Sequence, residues 1–351
     1  MSTVRQSHGF PLAVAVHTDV GRQRTNNEDS YGQTWMSDGS LFVMVADGMG
    51  GHEAGEVASA LAVQVVEETV TNGVEGDPRD HLYNALLDAN SAILEEGRRS
   101  GKQGMGTTGV AAVCRGRQVY VALVGDSRCY HVRKGQLVWR TVDHTRVQML
   151  LDSGEISELE ARSHPEAGML TRALGHARMA DNRPLVPDVL ADPLELQERD
   201  ALVLCSDGLH DLVEDFEIGQ VVAGKSPEDA ARALVELALD RGGYDNVTVA
   251  VVVAGKRTGE YDETYVPDNV NRAETTYPGF SAGPSPGAPV RGLSPTEDEP
   301  TEAGATTDSD PAPGKSSGKG LYIAIAVIVL LVGLVGIATV VALLGGWFFL
   351  A

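Results

Sequence analysis

Val45-Ala46-Asp47-Gly48-Met49-Gly50-Gly51-His52 closes an apolar run that begins at Leu41. A short, unbroken apolar run that ends in glycines reads as a strand buried on both faces. The glycines let the backbone turn sharply and approach a neighbour closely. A carboxylate brought to such a corner suits a hard cation held by oxygen ligands. The same residues also suit a plain glycine turn with Asp47 as a turn residue. The rest of the chain decides between the two.

Working outward, Val14 to Asp19 reads as a strand that precedes the polar segment Arg24-Thr25-Asn26-Asn27-Glu28-Asp29. Val57, Ala58, Leu61, Ala62 and Val65 recur at helical spacing, as do Leu82, Leu86, Ala89 and Ile93. Each stripe faces polar residues on the other side of its helix, so each helix should cover one side of a sheet. The β-rich runs 109–115 and 118–124 read as a hairpin turning at Gly116, and 129–133 with 136–140 as a second turning at Lys134-Gly135. Hairpins mean antiparallel sheet and exclude a wound βαβ architecture. Residues 145–161 read as a charged, mostly helical surface excursion. Ala201 to Cys205 is another buried strand, running into Ser206-Asp207-Gly208. Ser226-Pro227-Glu228-Asp229 starts a helix to Asp240, with Ser as cap and Pro in the first turn. Val247 to Ala254 closes the set as a strand apolar on both faces.

The 351 residues carry a net charge of -21, which argues against a nucleic-acid partner because phosphate backbones need Lys and Arg. Three cysteines, Cys114, Cys129 and Cys205, with no Cys-x-x-Cys spacing, read as reduced thiols. Met1 to Phe10 is polar, so no secretory signal is expected. Beyond Gly255 the composition shifts. Residues 256–319 are rich in Pro, Gly, Ser, Thr and Glu and poor in aliphatics, so a disordered linker is expected. Residues 320–351 contain an uncharged apolar run from Leu321 to Leu350, long enough to span a bilayer. Lys315 and Lys319 flank its N-terminal side, which by the positive-inside rule places residues 1–255 in the cytoplasm. The expectation is a single-pass C-terminal anchor in the cell membrane, with Trp347 at the far interface.

Acids gather at the strand ends: Asp47, Asp207 and Asp245, with Glu28 and Asp29 in the polar segment and Asp126 in Gly125-Asp126-Ser127-Arg128. Bringing several carboxylates together at the ends of apolar strands is costly unless positive charge sits between them. Divalent metals would supply it. All donors are oxygens, so Mg²⁺ or Mn²⁺ is expected and Zn²⁺ is not.

These motifs resemble the PPM family, the metal-dependent type 2C serine/threonine protein phosphatases, and especially its bacterial members. The resemblance covers about residues 10 to 254. It rests on Arg-Thr-Asn-Asn-Glu-Asp at 24–29, Asp-Gly-Met-Gly-Gly at 47–51, Gly-Thr-Thr at 106–108 and Gly-Asp-Ser-Arg at 125–128. It rests further on Asp-His-Thr at 143–145, Leu-Thr-Arg-Ala-Leu-Gly at 170–175, Ser-Asp-Gly-Leu at 206–209 and Asp-Asn at 245–246. It implies an α+β fold of two packed antiparallel sheets flanked by helices, with metals in a cleft at one end. It also implies roles. Asp47 would bridge two Mn²⁺ or Mg²⁺ ions and the Gly48 carbonyl would bind one of them. Asp207 and Asp245 would bind the other, with Glu28 and Asp29 as an acidic pair acting partly through water. Asp126 would hold a third, weaker ion together with Asp207 and Asp211. Arg24 would grip the substrate phosphate with its planar fork. Residues 145–169 would form the family's flap.

The implied chemistry is in-line attack on phosphoserine or phosphothreonine by a metal-bridged water, with Asp47, Asp207 and Arg24 as the catalytic set. No cysteine is followed six positions later by Arg, so a cysteine-dependent phosphatase loop is absent. Met49 stands where many eukaryotic members carry His, and it has no proton to give a leaving alkoxide. His52 is nearby in sequence, but water is the expected proton source. His144, Thr107, Thr108, Ser127 and Arg128 are expected to be structural. Implied partners are phosphorylated proteins, among them a Ser/Thr kinase and its substrates. Two alternatives stand beside this reading. A non-catalytic binder would have lost metal ligands. A phosphatase of small metabolites would share the mechanism and differ in turnover of phosphopeptides.

Overall fold

Alternation along the strand that begins at Leu41 sorts its side chains between two cores. Leu41, Val43 and Val45 belong to one, Phe42, Met44 and Ala46 to the other. The computed structural model describes residues 4–50, 54–73, 75–161 and 163–255. The expected linker and membrane segment, 256–319 and 320–351, lie outside the described residues, as does His52. Among the described residues no helix is long and apolar enough to cross a membrane.

Two sheets, antiparallel throughout, form the centre. The first has the order β1 (Arg5–Ser7), β2 (Phe10–Asp19), β13 (Val247–Ala254), β12 (Ala201–Cys205), β8 (Arg128–Arg133), β9 (Gln136–Arg140). The second has the order β10 (Asp188–Val189), β7 (Gln118–Val124), β6 (Gly109–Arg115), β4 (Leu41–Met49), β3 (Asp29–Trp35). Two short strands join it: β11 (Leu194–Glu195) on β7 and β5 (Gly106–Thr107) on β4. Helices α1 (Ala54–Asn72) and α2 (Pro78–Ser100) cover the second sheet, and α6 (Asp215–Val222) and α7 (Pro227–Asp240) cover the first. The remaining helices are short: α3 (Arg146–Asp152), α4 (Glu158–Ala161) and α5 (Asp207–His210).

Three apolar layers hold these elements. Between the sheets, Leu41, Val43 and Val45 meet Leu12, Leu202 and Val252. Outside the second sheet, Phe42 and Met44 pack under Ala58, Ala62, Leu82 and Leu86. Outside the first, Val203, Val249 and Val251 pack under Ile218, Leu234 and Ala238. Each fully buried Val or Leu contributes roughly 1.5–3 kcal/mol, so the layers set the sheet spacing firmly. The caps read from sequence are in place: Ser226 accepts from the Asp229 N–H at 3.1 Å, with Pro227 in the first turn.

Three strand bounds differ from the sequence reading, β8 by the single residue Arg128 and two others by more. β2 starts at Phe10, because its inner face stays apolar back to Leu12 and pairs with β1. β4 does not end at Ala46. It continues through Asp47 and Gly48 to Met49, because Gly48 and Met49 pair with Thr107 and Gly106. The corner comes one residue later, at Gly50, whose φ of 135° excludes most side chains. α6 was not anticipated from the sequence either.

One side chain carries several of the bonds at the open end of the sandwich. Asn246, buried just before β13, accepts from the Glu28 N–H at 2.8 Å and donates to the carbonyls of Val20 and Asn26 at 2.8 and 2.9 Å. It fastens the loop before β3 to the central strand of the other sheet. Asn246→Ala removes the side-chain partner of three part-buried backbone groups and should cost about 1–3 kcal/mol, read as a lowered urea midpoint with unchanged slope. An unshifted midpoint would remove Asn246 from this role.

Candidate active site

Register places the first two acids. Asp47 extends the Leu41, Val43, Val45 series, so it points between the sheets, and Asp29 lies directly opposite it on β3. Like charges directly opposite on neighbouring strands repel. Main-chain bonds hold Asp47 regardless. Its N–H donates to Thr108 Oγ1 at 2.9 Å, and its carbonyl accepts from the Thr108 N–H at 2.9 Å and from Thr107 Oγ1 at 2.8 Å. Ser206, following β12, donates to Asp29 Oδ2 at 2.8 Å and accepts from the Thr248 N–H at 3.0 Å, so it joins the two sheets.

Asp207 opens α5 immediately after Ser206, and Asp211 closes it. The Asp207 and Asp47 carboxyls face each other closely enough that each perturbs the other, and burial with this mutual repulsion raises Asp47 well above the usual carboxylate range. Tight backbone contact makes the arrangement possible. A Cβ on Gly208 would stand 2.0 Å from the Asn246 carbonyl, and one on Gly48 would stand 2.5 Å from that of Glu28. The Gly48 N–H donates to that Glu28 carbonyl at 3.1 Å.

Asp126 follows β7 and reaches the cluster from the flap side. Ser127 Oγ pairs with Thr108 Oγ1 at 2.6 Å. Arg128 grips Asp143 with two bonds of 2.8 and 2.5 Å and reaches Asp215 at 3.2 Å. Burial opposes charge on Asp143, but Arg128 outweighs it and holds the carboxyl at about 2. Ser127 and Arg128 therefore anchor this loop as the sequence implied. His144 is structural too: its Nδ1 accepts from the Gly125 N–H at 3.1 Å and its Nε2 donates to Asp188 at 3.0 Å. Burial lowers its basicity and keeps it neutral.

Glu28 and Asp245 stand at the outer rim. Arg24, half-exposed, donates to Asp245 Oδ2 at 2.7 Å. Burial raises Glu28, with Arg24 opposing and Asp245 adding to the rise. The structure thus brings Glu28, Asp29, Asp47, Gly48, Asp126, Asp207, Asp211 and Asp245 to one end of the sandwich, and Arg24 beside them. Sequence reading assigned no role to Ser206, Thr248 or His210, although Ser206 stands in the quoted Ser-Asp-Gly-Leu motif. Ser206 and His210 flank a recognised motif residue, which was the available signal.

Burial first, then mutual repulsion, raises the inner carboxyls. Asp47 and Asp126 lie well above the usual range, Asp29 and Asp207 are also raised, and Asp211 is pushed up to about 7. Two enclosed oxygens, Asp29 Oδ1 and Asp207 Oδ1, have no hydrogen-bond partner. Among the described residues no three acids, histidines or cysteines already form a closed metal shell. Even so, an all-oxygen donor set with two orphaned buried carboxylate oxygens fits a hard divalent cation. A cleft of about 450 Å³ opens beside it, lined by Asp126, Asp207, His210 and Asp211 and by Val147 and Leu151 of α3. The cysteines stay out of the chemistry: all three are buried, and burial pushes the Cys114 thiol up to about 12.

Comparison with known proteins agrees with this geometry. Residues 20–247 match the family model "Protein phosphatase 2C". The putative protein phosphatase 2C-type of Streptococcus pyogenes is 35% identical over 245 residues, covering 69% of this chain and 97% of that one. Serine/threonine protein phosphatase PstP of Mycobacterium tuberculosis is 36% identical over 272 residues, covering 73% of this chain. The match spans 50% of PstP's own length. The crystal structure of Mycobacterium tuberculosis PstP/Ppp superposes with a TM-score of 0.62 at 37% identity, covering 70% of this chain and 99% of that one. A PstP catalytic domain solved with two manganese ions superposes with a TM-score of 0.60 at 35% identity, covering 70% of this chain and 99% of that chain. The chain belongs to the protein phosphatase 2C family, in its bacterial serine/threonine branch.

Proton and cation compete for these acids, which makes the cation's effect depend on pH. A carboxyl raised by folding stabilises the fold below its unfolded value, near 4, and that contribution is lost as pH rises through the raised value, about 7 for Asp211. Burial shifts His144 and His210 the opposite way, lowering their basicity. The rise in melting temperature on saturating with Mn²⁺ should therefore be larger at pH 8 than at pH 5.5, by at least about 4 °C. An equal or smaller rise at pH 8 contradicts the assignment of these acids as the cation's ligands.

Proposed function

We propose that this chain hydrolyses phosphoserine and phosphothreonine in proteins with a water held between two divalent cations, Mn²⁺ or Mg²⁺, at the Asp47 cluster. One observation carries the reading: acids from both sheets converge on a point where two buried carboxylate oxygens lack partners. When bound, the cations supply charge for the phosphoryl oxygens and acidify the attacking water. The chain's own groups do the rest. Asp47, pinned by Thr107 and Thr108, fixes the inner ligand position. Asp207 faces it from the other sheet. Asp29 would be a further inner donor, Glu28, the Gly48 carbonyl and Asp245 would complete the set toward the rim, and Asp126 with Asp211 would offer a third, weaker locus. Arg24 is half-exposed and bonds Asp245 through one terminal nitrogen, which leaves a guanidinium able to pair with an arriving phosphate. Met49 has no exchangeable proton, so the leaving alkoxide is protonated by water. The buried cysteines, with thiols raised above the physiological range, speak against a cysteine phosphoenzyme.

Purified full chain should hydrolyse a phosphothreonine peptide only with Mn²⁺ or Mg²⁺. Asp47→Ala and Asp207→Ala should each lower kcat by at least about 10³-fold while leaving the circular dichroism spectrum intact. Arg24→Ala should lower kcat/KM by roughly 10–100-fold. Full activity in either Asp variant overturns the assignment. Faster turnover of small phosphorylated metabolites than of phosphopeptides would favour the metabolite reading.

We further propose that residues 320–351 anchor the enzyme in the cell membrane with residues 1–255 in the cytoplasm, joined by the linker 256–319, where it opposes a Ser/Thr kinase. The uncharged run from Leu321 to Leu350 supports this. Deleting 320–351 should shift the protein from the membrane to the soluble fraction with kcat/KM within about twofold. Persistence in the membrane fraction would refute the anchor.

A further inference from the structure

His210 is a buried histidine that the mechanism above leaves without a task. Its side chain is 4% exposed, although its neighbour Asp211 is 50% exposed. Nε2 lies 3.0 Å from the Asp126 carbonyl oxygen. A carbonyl can only accept, so the ring donates from Nε2. Its Nδ1 edge lies 3.6 Å from Asp211 Oδ1.

The bond lies just beyond the end of a strand pair: Arg128 of β8 stands opposite Cys205 of β12, and Asp126 and Asp207 each lie two residues past that pair, where the ladder no longer holds them. Asp126 follows β7 in one sheet, whereas Asp207 and Asp211 flank α5, which follows β12 in the other. Most of the surroundings are already held. Gly125 is fixed by His144, which bonds both its N–H and its carbonyl. Arg128 is fixed by Asp143 and Asp215. Between them the Asp126–Ser127 peptide has its Ser127 side chain held by Thr108 and its carbonyl held by the His210 N–H.

We propose that His210 is a positioning residue: by holding the Asp126 carbonyl it sets the spacing of Asp126 from Asp207 and Asp211, and so the affinity of the weaker cation locus those acids share. This rests on the reading of Asp126, Asp207 and Asp211 as ligands. His210 touches neither phosphate nor the Asp47 carboxylate. Its effect should therefore fall on one cation class and spare the other.

The test is Mn²⁺ titration of the full chain by calorimetry and by electron paramagnetic resonance, with kinetics on a phosphothreonine peptide. His210→Leu removes the donor. His210→Gln keeps an N–H close to the Nε2 position, and His210→Asn is one methylene too short to reach it. Expected for His210→Leu and His210→Asn is a loss of at least tenfold in weaker-site affinity, tight-site affinity within threefold, and a matching rise in the Mn²⁺ needed for half-maximal kcat, with KM unchanged. His210→Gln should lie within threefold of the parent throughout. If the Leu variant fails to fold, the Gln and Asn pair carries the comparison. Weaker-site affinity unchanged in the variants, all sites weakened together, or Gln no better than Asn overturns the inference alone. A parent chain that binds only one class of Mn²⁺ overturns the ligand reading and the inference with it.

Discussion

Two carboxylates placed directly opposite one another set the terms for this molecule. Asp29 and Asp47 occupy one register position on neighbouring strands, where like charges repel, and Asp207 faces them from the other sheet. Packing alone gains nothing from this. The sandwich holds it because three apolar layers fix both sheets independently of their open end. The end itself is tied by short polar bridges: Ser206 to Asp29, Thr108 to Ser127, and Asn246 to the loop before β3. Burial then raises every inner carboxyl, so the cluster stores a demand for positive charge that protons meet only partly near neutral pH.

The chain also keeps its own cations from meeting that demand. Arg128 is close enough to Asp126 to be felt, yet its guanidinium is committed to Asp143 and Asp215. Arg24 sits at the rim on Asp245. Neither guanidinium bonds the inner carboxyls. A protein built this way leaves its most negative point for an ion from solution. This also explains why the acids come from five separate stretches. Each stretch folds around its own apolar strand or its own cap, and only the assembled end repels.

Much of this was readable beforehand. The hairpins, the two long helices and the Ser226 cap follow from periodicity and turn chemistry, which are local. The acid motifs pointed to the correct end of the correct strands. What the motifs could not show was continuation past Ala46. Gly48 and Met49 look like turn residues in one dimension and become strand residues because Thr107 and Gly106 pair with them. α6 was missed because Asp215-Phe216-Glu217-Ile218 resembles a continuing loop, and its Glu214 capping box is recognised only once the chain turns there. His210 was invisible for a related reason. Its partner is a main-chain carbonyl 84 residues away, and a carbonyl leaves no mark in the sequence.

The sequence by itself determined which residues are apolar at strand and helix spacing and which acids follow those runs. These are properties of composition and of neighbours within a few residues. The tertiary structure alone decided the rest: that Asp29 faces Asp47, that Asp207 meets both from the other sheet, and that two of their oxygens are enclosed without partners. Register and sheet packing make those statements, because a side chain's direction depends on pairing with a distant strand. Repulsion and burial act through space, so they exist only once that pairing has brought the charges together.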